Sequence, residues 1–483
     1  MKDLTIQKNK SLVAFLALFF CLLMNANGQA GLRLDTIVPV KKPHLKAATN
    51  ILVFNTLINR YDAYFKGGGQ DFANVTFKSM WKNITGGLDW DWNLFNTNWA
   101  GHPYHGSLMY NTARTVGLNY WQSVPYAIGG AAVWEFLGET HAPSTSDLIT
   151  TSIGGIYLGE VLFRVSELVL DDRATGWNRF GRESLGFILN PVGGLNRLVY
   201  GTGNDHHTFP NHLKTPARFQ LTLGSNYVIN NPNFPSTRFK PYIELGLLYG
   251  DPFEKRSNYQ PFDIFNLVTW LRFEETKNNY RLKINDDFYL PYWNIYSYGI
   301  LAGKNFHHTD QQNQIIGIFQ HFDYLNNKAF EVSALGFSGG WLKNAFLKNN
   351  WEVLTSIQLG VIALGGSNSE TVEWVRPPDE RDLRDYIMGP GVLAKYDLFL
   401  DHPKWGNLAF RYGHWTIFVA SGPKGTEDVN LFDLRYSFPI FRKVNFGVEY
   451  IYYLRMADYT NEETLYKVTD KISEFRAFAA YRF

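Results

Sequence analysis

His102 and His105 stand three residues apart, and Glu135 and Glu139 stand four apart, so the two carboxylates share one face of a helix. Two imidazoles and two carboxylates can hold a divalent metal, or can divide the work of a general base, Glu135, and a proton shuttle, His105. No complete ligand signature frames them, since His-Glu-x-x-His is absent, so neither metal nor cofactor is assigned and the four residues stand as catalytic candidates only. A blander use competes. Glu160, Arg164 and Glu167 share a face of a later helix and Arg114 precedes them, so Glu135 and Glu139 can instead join Arg114, Glu160, Arg164 and Glu167 in a buried polar network that fixes how helices dock.

These residues fall in the long stretch from Gly101 to Asp172, where apolar residues recur at helical spacing. The spacing predicts a helix from Ser107 to Trp121, a second opened by Pro125 and running to Glu139, and a third from Ser144 to Leu170. Ser144 and Asp147 have the spacing of a capping box. Thr151, Gly155 and Gly159 form a small-residue stripe that lets another backbone approach. Leu195 to Tyr200 adds one further helical turn. Trp81, Trp90, Trp92 and Trp99 crowd the approach as a packed aromatic collar.

The combination His-Pro-Tyr-x-Gly-x-x-x-Tyr at 102–110, Ala113-Arg114, Trp134-Glu135-Phe136-x-Gly-Glu139, Asp147 to Thr151, Gly159-Glu160 and Asn190-Pro191 with Asn196-Arg197 resembles a bacterial family known as domain of unknown function 3943. The resemblance spans roughly Trp99 to Gly201, a minority of the chain. It implies an envelope protein of Gram-negative type and no particular activity.

The N-terminus carries Lys2, Lys8 and Lys10 before an apolar run from Leu12 to Met24 and small residues at Ala26 to Gly28, which reads as a secretory leader over 1–28. Cys21, the sole cysteine, leaves with it, so disulfides and thiolate metal sites are excluded. Lys plus Arg number 46 and Asp plus Glu 44; the leader takes three lysines and one aspartate, leaving 43 against 43. A neutral chain has no general attraction for nucleic acid. Residues 29–98, with Pro39, Pro43 and Gly67 to Gly69, read as a periplasmic lead-in with little regular structure, and 99–203 as the helical domain.

From Ala217 the period changes to two. In the last stretch Phe475, Ala477, Ala479, Tyr481 and Phe483 alternate with Glu474, Arg476, Phe478, Ala480 and Arg482, and the pattern recurs upstream around Trp351, Phe432 and Phe446. One face meets hydrocarbon and the other a polar lumen. Thirteen candidate strands occur. Pro291 makes the pair at 279–304 the excess one, which leaves a mainly β fold, an outer-membrane β-barrel of about twelve strands over 217–483 with fourteen as the alternative. Its inward charges are Glu244, Glu352, Arg411, Arg435, Glu449, Arg455, Glu474, Arg476 and Arg482, expected to pair across the lumen. A terminal aromatic, Phe483, is the feature that barrel-assembly machinery reads. Ser437 with His414 or His321 would form a hydrolytic set only by converging on one face.

The expected protein is therefore an outer-membrane barrel of a Gram-negative envelope in contact with lipid, secreted through the inner membrane. Its helical domain is expected to plug the lumen or cap its periplasmic mouth. Its expected function is that of a gated channel or transport-type protein for a small or amphipathic solute, with no named ligand and more non-enzymatic than enzymatic. The alternatives are a lipid- or envelope-modifying enzyme built on the His/Glu cluster, or a structural surface barrel.

Overall fold

The computed structural model of the chain describes residues 42–482 except 65–70, 200–215, 230–238, 274–282, 369–385 and a few shorter stretches. The leader and Phe483 lie outside the described residues, as does the adjacent pair His206-His207.

Twelve strands form a closed antiparallel barrel: β1 Ala217–Ile229, β2 Lys240–Tyr249, β3 Phe265–Arg272, β4 Tyr292–His308, β5 Gln312–Asn326, β6 Glu331–Phe346, β7 Glu352–Asn368, β8 Tyr386–His402, β9 Gly406–Phe418, β10 Lys424–Phe441, β11 Val444–Asn461 and β12 Thr464–Arg482. Each pairs with its sequence neighbours, and β12 closes on β1 with Leu221 opposite Tyr481. The excess candidate is a small ribbon, Lys283–Asn285 with Phe288–Tyr289, outside the barrel sheet. The end that holds both barrel termini has the tight connections 309–311, 403–405 and 442–443, whereas 230–239, 273–291 and 369–385 leave from the other. By that asymmetry the termini end is the periplasmic one.

Alternation along each strand sorts the side chains. Outward, Ile318, Leu359, Val361, Leu434, Tyr436, Val448 and Tyr450 are exposed and apolar. Inward, Glu244, Asp397, Arg435, Glu449, Arg455 and Arg476 are buried. An apolar outside, a polar inside, an even strand count and complete closure make this the wall of an outer-membrane β-barrel.

Among the described residues, seven helices come before the barrel: α1 Pro43–Tyr64, α2 Phe77–Thr85, α3 His102–Arg114, α4 Tyr120–Val133, α5 Thr145–Val169, α6 Gly176–Leu189 and α7 Pro191–Val199. The expected irregular lead-in is thus largely helical, with α1 docked on α3 and its Asn55 donating to Gly130 O at 3.2 Å. Asn119, which forms a capping box with Gln122, starts α4 earlier than Pro125 does. Local side-chain capping outweighs the proline signal there, and Pro125 sits inside the helix, where it forgoes the bond to the Trp121 carbonyl. The small-residue stripe is used closely. A Cβ on Gly106 would lie 1.8 Å from Thr151 O, and one on Gly155 would lie 2.5 Å from Gly106 Cα, so only glycine lets α3 and α5 meet backbone to backbone.

The helices stand neither in the lumen nor beneath it, which corrects the expected plug or periplasmic cap. Their partners on the barrel all have outward parity. Tyr120 donates to Gln320 Oε1 at 2.9 Å, and Gln320 in turn donates to Ile153 O at 3.0 Å. Gly154 meets Leu335, Trp99 covers Gly366, and Tyr157 packs edge-on against Phe322. On the same strand Ile316 and Ile318 share that parity and are exposed, while Asp323, of opposite parity, meets Lys395 across the lumen. The helical layer runs obliquely up the outer wall, from Phe219 of β1, against Val169 and Leu185, to Tyr386 at the loop end of β8, against Asn98. The physical reason is occupancy: the lumen is already full of wall side chains.

Candidate functional site

A channel would need an open lumen, and this one is filled. Toward the loop end, Leu325, Phe330, Val332, Ile387, Ile417, Val429, Leu431 and Tyr459 form a dry core between the walls. Ion pairs tie the wall together as well: Arg272 to Glu474, Lys395 to Asp323 at 2.7 Å and Arg435 to Glu244 join strands that are not neighbours, while Arg476 to Glu449 at 3.0 Å, Arg455 to Glu427 at 2.6 Å and Arg411 to Asp433 at 2.8 Å join neighbouring ones. At the periplasmic mouth Arg218 meets Glu352 and Arg482 meets Asp401. All nine inward charges singled out from the sequence have partners. There remains a blind cavity of about 280 Å³ at that mouth, lined by Gln220, Glu244, Asn266, Asp433 and Arg435 among others.

In the helical layer two polar groups separate that the sequence left as one. The first is Glu160, fully buried, which accepts from Arg114 Nε at 2.8 Å, Arg164 Nε at 2.7 Å and the Tyr110 hydroxyl at 2.7 Å. Arg164 also donates to Pro261 O at 2.7 Å and so ties the layer to the barrel. Two arginines on one carboxylate, each also donating to a backbone carbonyl, form a docking device. Glu167 lies half-buried one turn further along α5.

Glu135 and Glu139 do not join this network, contrary to the expected six-residue set. Helix α4 passes into a π turn, Trp134–Gly138, and Glu139 leaves in extended conformation. The wider turn re-aims both carboxylates away from Arg114 and Arg164. They gather instead near His102, His105, Asp91 and Asp147, where two further π turns, Thr97–Gly101 and Thr150–Gly154, flank the contributing helices. Glu135 accepts from Ser144 N at 2.9 Å; Glu139 accepts from the Trp134 indole at 2.5 Å. Ser144 caps α5 by accepting from Asp147 N at 3.1 Å, and Asp91 N donates to Ser146 Oγ at 3.3 Å. His102 Nε2 lies 3.5 Å from Asp147 Oδ2. Asp91, His102 and Asp147 each present a ligand atom within 4.8 Å of the other two.

His105 and Glu135 do not meet as base and shuttle. The His105 ring stands edge-on to Trp134, with centroids 4.6 Å apart, and Glu135 faces the start of α5. Glu135, Glu139 and Asp147 have no arginine or lysine against them among the described residues. Carboxylates gathered without cationic side chains need bound protons or a cation to balance them.

Asp91 and Asp147 were not recognised as site residues in the sequence. Asp147 enters the sequence reading as a capping residue and as part of the family motif, and Asp91 does not enter it. Of that collar, Trp99 is fully buried but Trp81 is exposed. Ser437, His414 and His321 do not converge: His321 bonds Ser338 in the lumen, while His414 bonds Asn430 and Thr416.

Residues 87–192 match the family model described as Domain of unknown function (DUF3943), a span that contains the whole cluster. No curated protein matches the chain. Among solved structures, 56% of the chain aligns with 99% of OmpT, an outer membrane protein of Vibrio cholerae, at 10% identity and a TM-score of 0.21. Similar alignments cover 55% of the chain and 98% of Pseudomonas aeruginosa OpdK (8% identity, TM-score 0.21), and 55% of the chain and 89% of the P. putida toluene transporter TodX (9%, 0.21). At such TM-scores these likenesses add nothing to the barrel assignment, which rests on the strand pairing of this chain.

Proposed function

We propose that this outer-membrane barrel serves as a filled scaffold, and that its working part is the helical layer on its flank, which engages and processes an amphipathic envelope component such as a lipid. One observation carries the reading. The partly open side of the His/carboxylate cluster, at Asp91, His105 and Glu139, is bordered along the chain by exposed apolar side chains: Leu88, Leu94, Tyr104 and Leu137. A polar centre rimmed by apolar surface suits a molecule with a head and a tail. The outer surface of the layer is itself apolar, with Leu52, Leu57, Trp121, Ile128, Trp177, Phe180 and Leu198 exposed, as a flank facing lipid requires. Secretion on the leader and insertion through the terminal strand by barrel-assembly machinery belong to the same reading.

Two measurements test it. Full-length protein in a planar bilayer is expected to stay closed, and steady conductance would replace this proposal by transport. Mass spectrometry of lipids from Gram-negative cells carrying the wild type or Glu135→Gln is expected to differ in one envelope species. A second reading, binding of a small polar solute at the periplasmic mouth, is favoured by the blind lumenal cavity with its facing Glu244, Asp433 and Arg435.

A further inference from the structure

We infer that Asp91, His102 and Asp147 form a binding site for a divalent transition-metal cation, of which Zn²⁺ is the best match. Their ligand atoms converge within 4.8 Å from the segment before α3, the first residue of α3 and, remote from both in sequence, the first turn of α5. The convergence is built rather than incidental. The Asp89 backbone is laced to the start of α5 by Asp89 N to Pro143 O at 2.9 Å and Thr145 N to Asp89 O at 2.8 Å, which holds the Asp91 segment in place.

The second observation is independent of charge. His102 Nε2 and Asp147 Oδ1 are buried without a hydrogen-bond partner, in residues 9% and 4% exposed. Polar atoms so deeply buried are ordinarily satisfied, and an imidazole nitrogen facing two carboxylates lacks only the ion. One nitrogen and two carboxylate oxygens are a mixed, borderline donor set, which selects Zn²⁺ over Ca²⁺ or Mg²⁺, whose sites are built from oxygen. Three protein ligands leave a position open, the arrangement of reactive rather than purely structural sites. Glu139, bonded to the Trp134 indole, and Glu135, held by Ser144 N, lie beside this centre. The inference rests on the flank reading only for the occupant of the open position, an oxygen of a lipid headgroup.

The test uses the full-length mature protein, folded in detergent, stripped with chelator and titrated separately with Zn²⁺, Mn²⁺ and Ca²⁺. The expected result is a single Zn²⁺ per chain, with Ca²⁺ far weaker. Asp147→Asn and His102→Gln are expected to lose well over about 100-fold in affinity, beyond the roughly 10-fold to 100-fold typical of supporting residues. Heat-modifiability on gels shows whether each variant keeps its barrel. Should Asp147→Asn misfold, Asp91→Asn, at a half-buried position, carries the same expectation. Failure of the folded wild type to bind Zn²⁺ would overturn the site, as would unchanged affinity in the variants. Zn²⁺ binding without any lipid difference between wild type and Glu135→Gln cells would sink the flank reading and leave the metal site standing. A lipid difference in a chain that binds no metal would do the reverse.

Discussion

Lys395 and Asp323 provide the sharpest test of a bolted lumen. The lysine Nζ lies 2.7 Å from Asp323 Oδ1, also donates to Ser297 O at 3.0 Å, and sits 4.1 Å from the centre of the Tyr296 ring. Asp323 accepts in addition from Ser297 N at 3.1 Å and from the Trp415 indole at 3.0 Å, and both charged side chains are almost completely buried. Lys395→Met keeps most of the volume but leaves Asp323 as an uncompensated charge. Breaking one half of a buried pair costs about 3–5 kcal/mol, roughly a 10²-fold to 10⁴-fold fall in the folding equilibrium. Adding Asp323→Asn removes the second charge but keeps an acceptor for only one of Ser297 N and the Trp415 indole, which bond different Asp323 oxygens. The double variant is therefore expected to recover part of the loss. The assay is urea unfolding in lipid vesicles followed by tryptophan fluorescence. A single variant as stable as wild type, or a double variant no better than the single, would mean that this pair does not bolt the wall and that the lumen is wetter than its burial implies.

Further expectations concern the helical layer. Glu160→Gln leaves Arg114 and Arg164 buried without their shared counter-charge, and a loss of about 3–5 kcal/mol should appear as protease cleavage within the helices while the barrel stays heat-modifiable. Gly106→Ala places a methyl against the backbone of α5; the helices must separate, and about 1–3 kcal/mol of docking stability is lost, read by hydrogen exchange along α3 and α5. Trp99→Ala empties a fully buried site against Gly366, and its cost of about 3–5 kcal/mol is expected to free the loop-side end of the layer, seen as a rise in proteolysis there. Conductance of the Glu160 variant should remain nil, since the layer stands outside the lumen; a conducting variant would show that the helices do seal it.

The alternation of residues such as Glu474, Arg476 and Phe478 against Phe475, Ala477 and Ala479 decided the barrel by itself, because a strand has only two faces and a wall between water and lipid has only two sides. That rule also fixed which charges turn inward. The small stripe of Thr151, Gly155 and Gly159 likewise announced a close helix contact. Sequence was silent on which side of the wall the helices occupy, since an apolar helix face packs as well on an outer wall as in a lumen. The answer lay in Gln320, Phe322 and Tyr324, whose parity is that of lipid-facing residues yet which are buried. Nor could it divide the polar residues into two groups. Regular helical spacing put Glu135 and Glu139 with the arginines, but a π turn adds a residue and rotates the side chains beyond it. Asp91, His102 and Asp147 meet only because the chain before α3 is laced to the start of α5. Periodicity carries information along one element, whereas a site assembled from three is decided by packing.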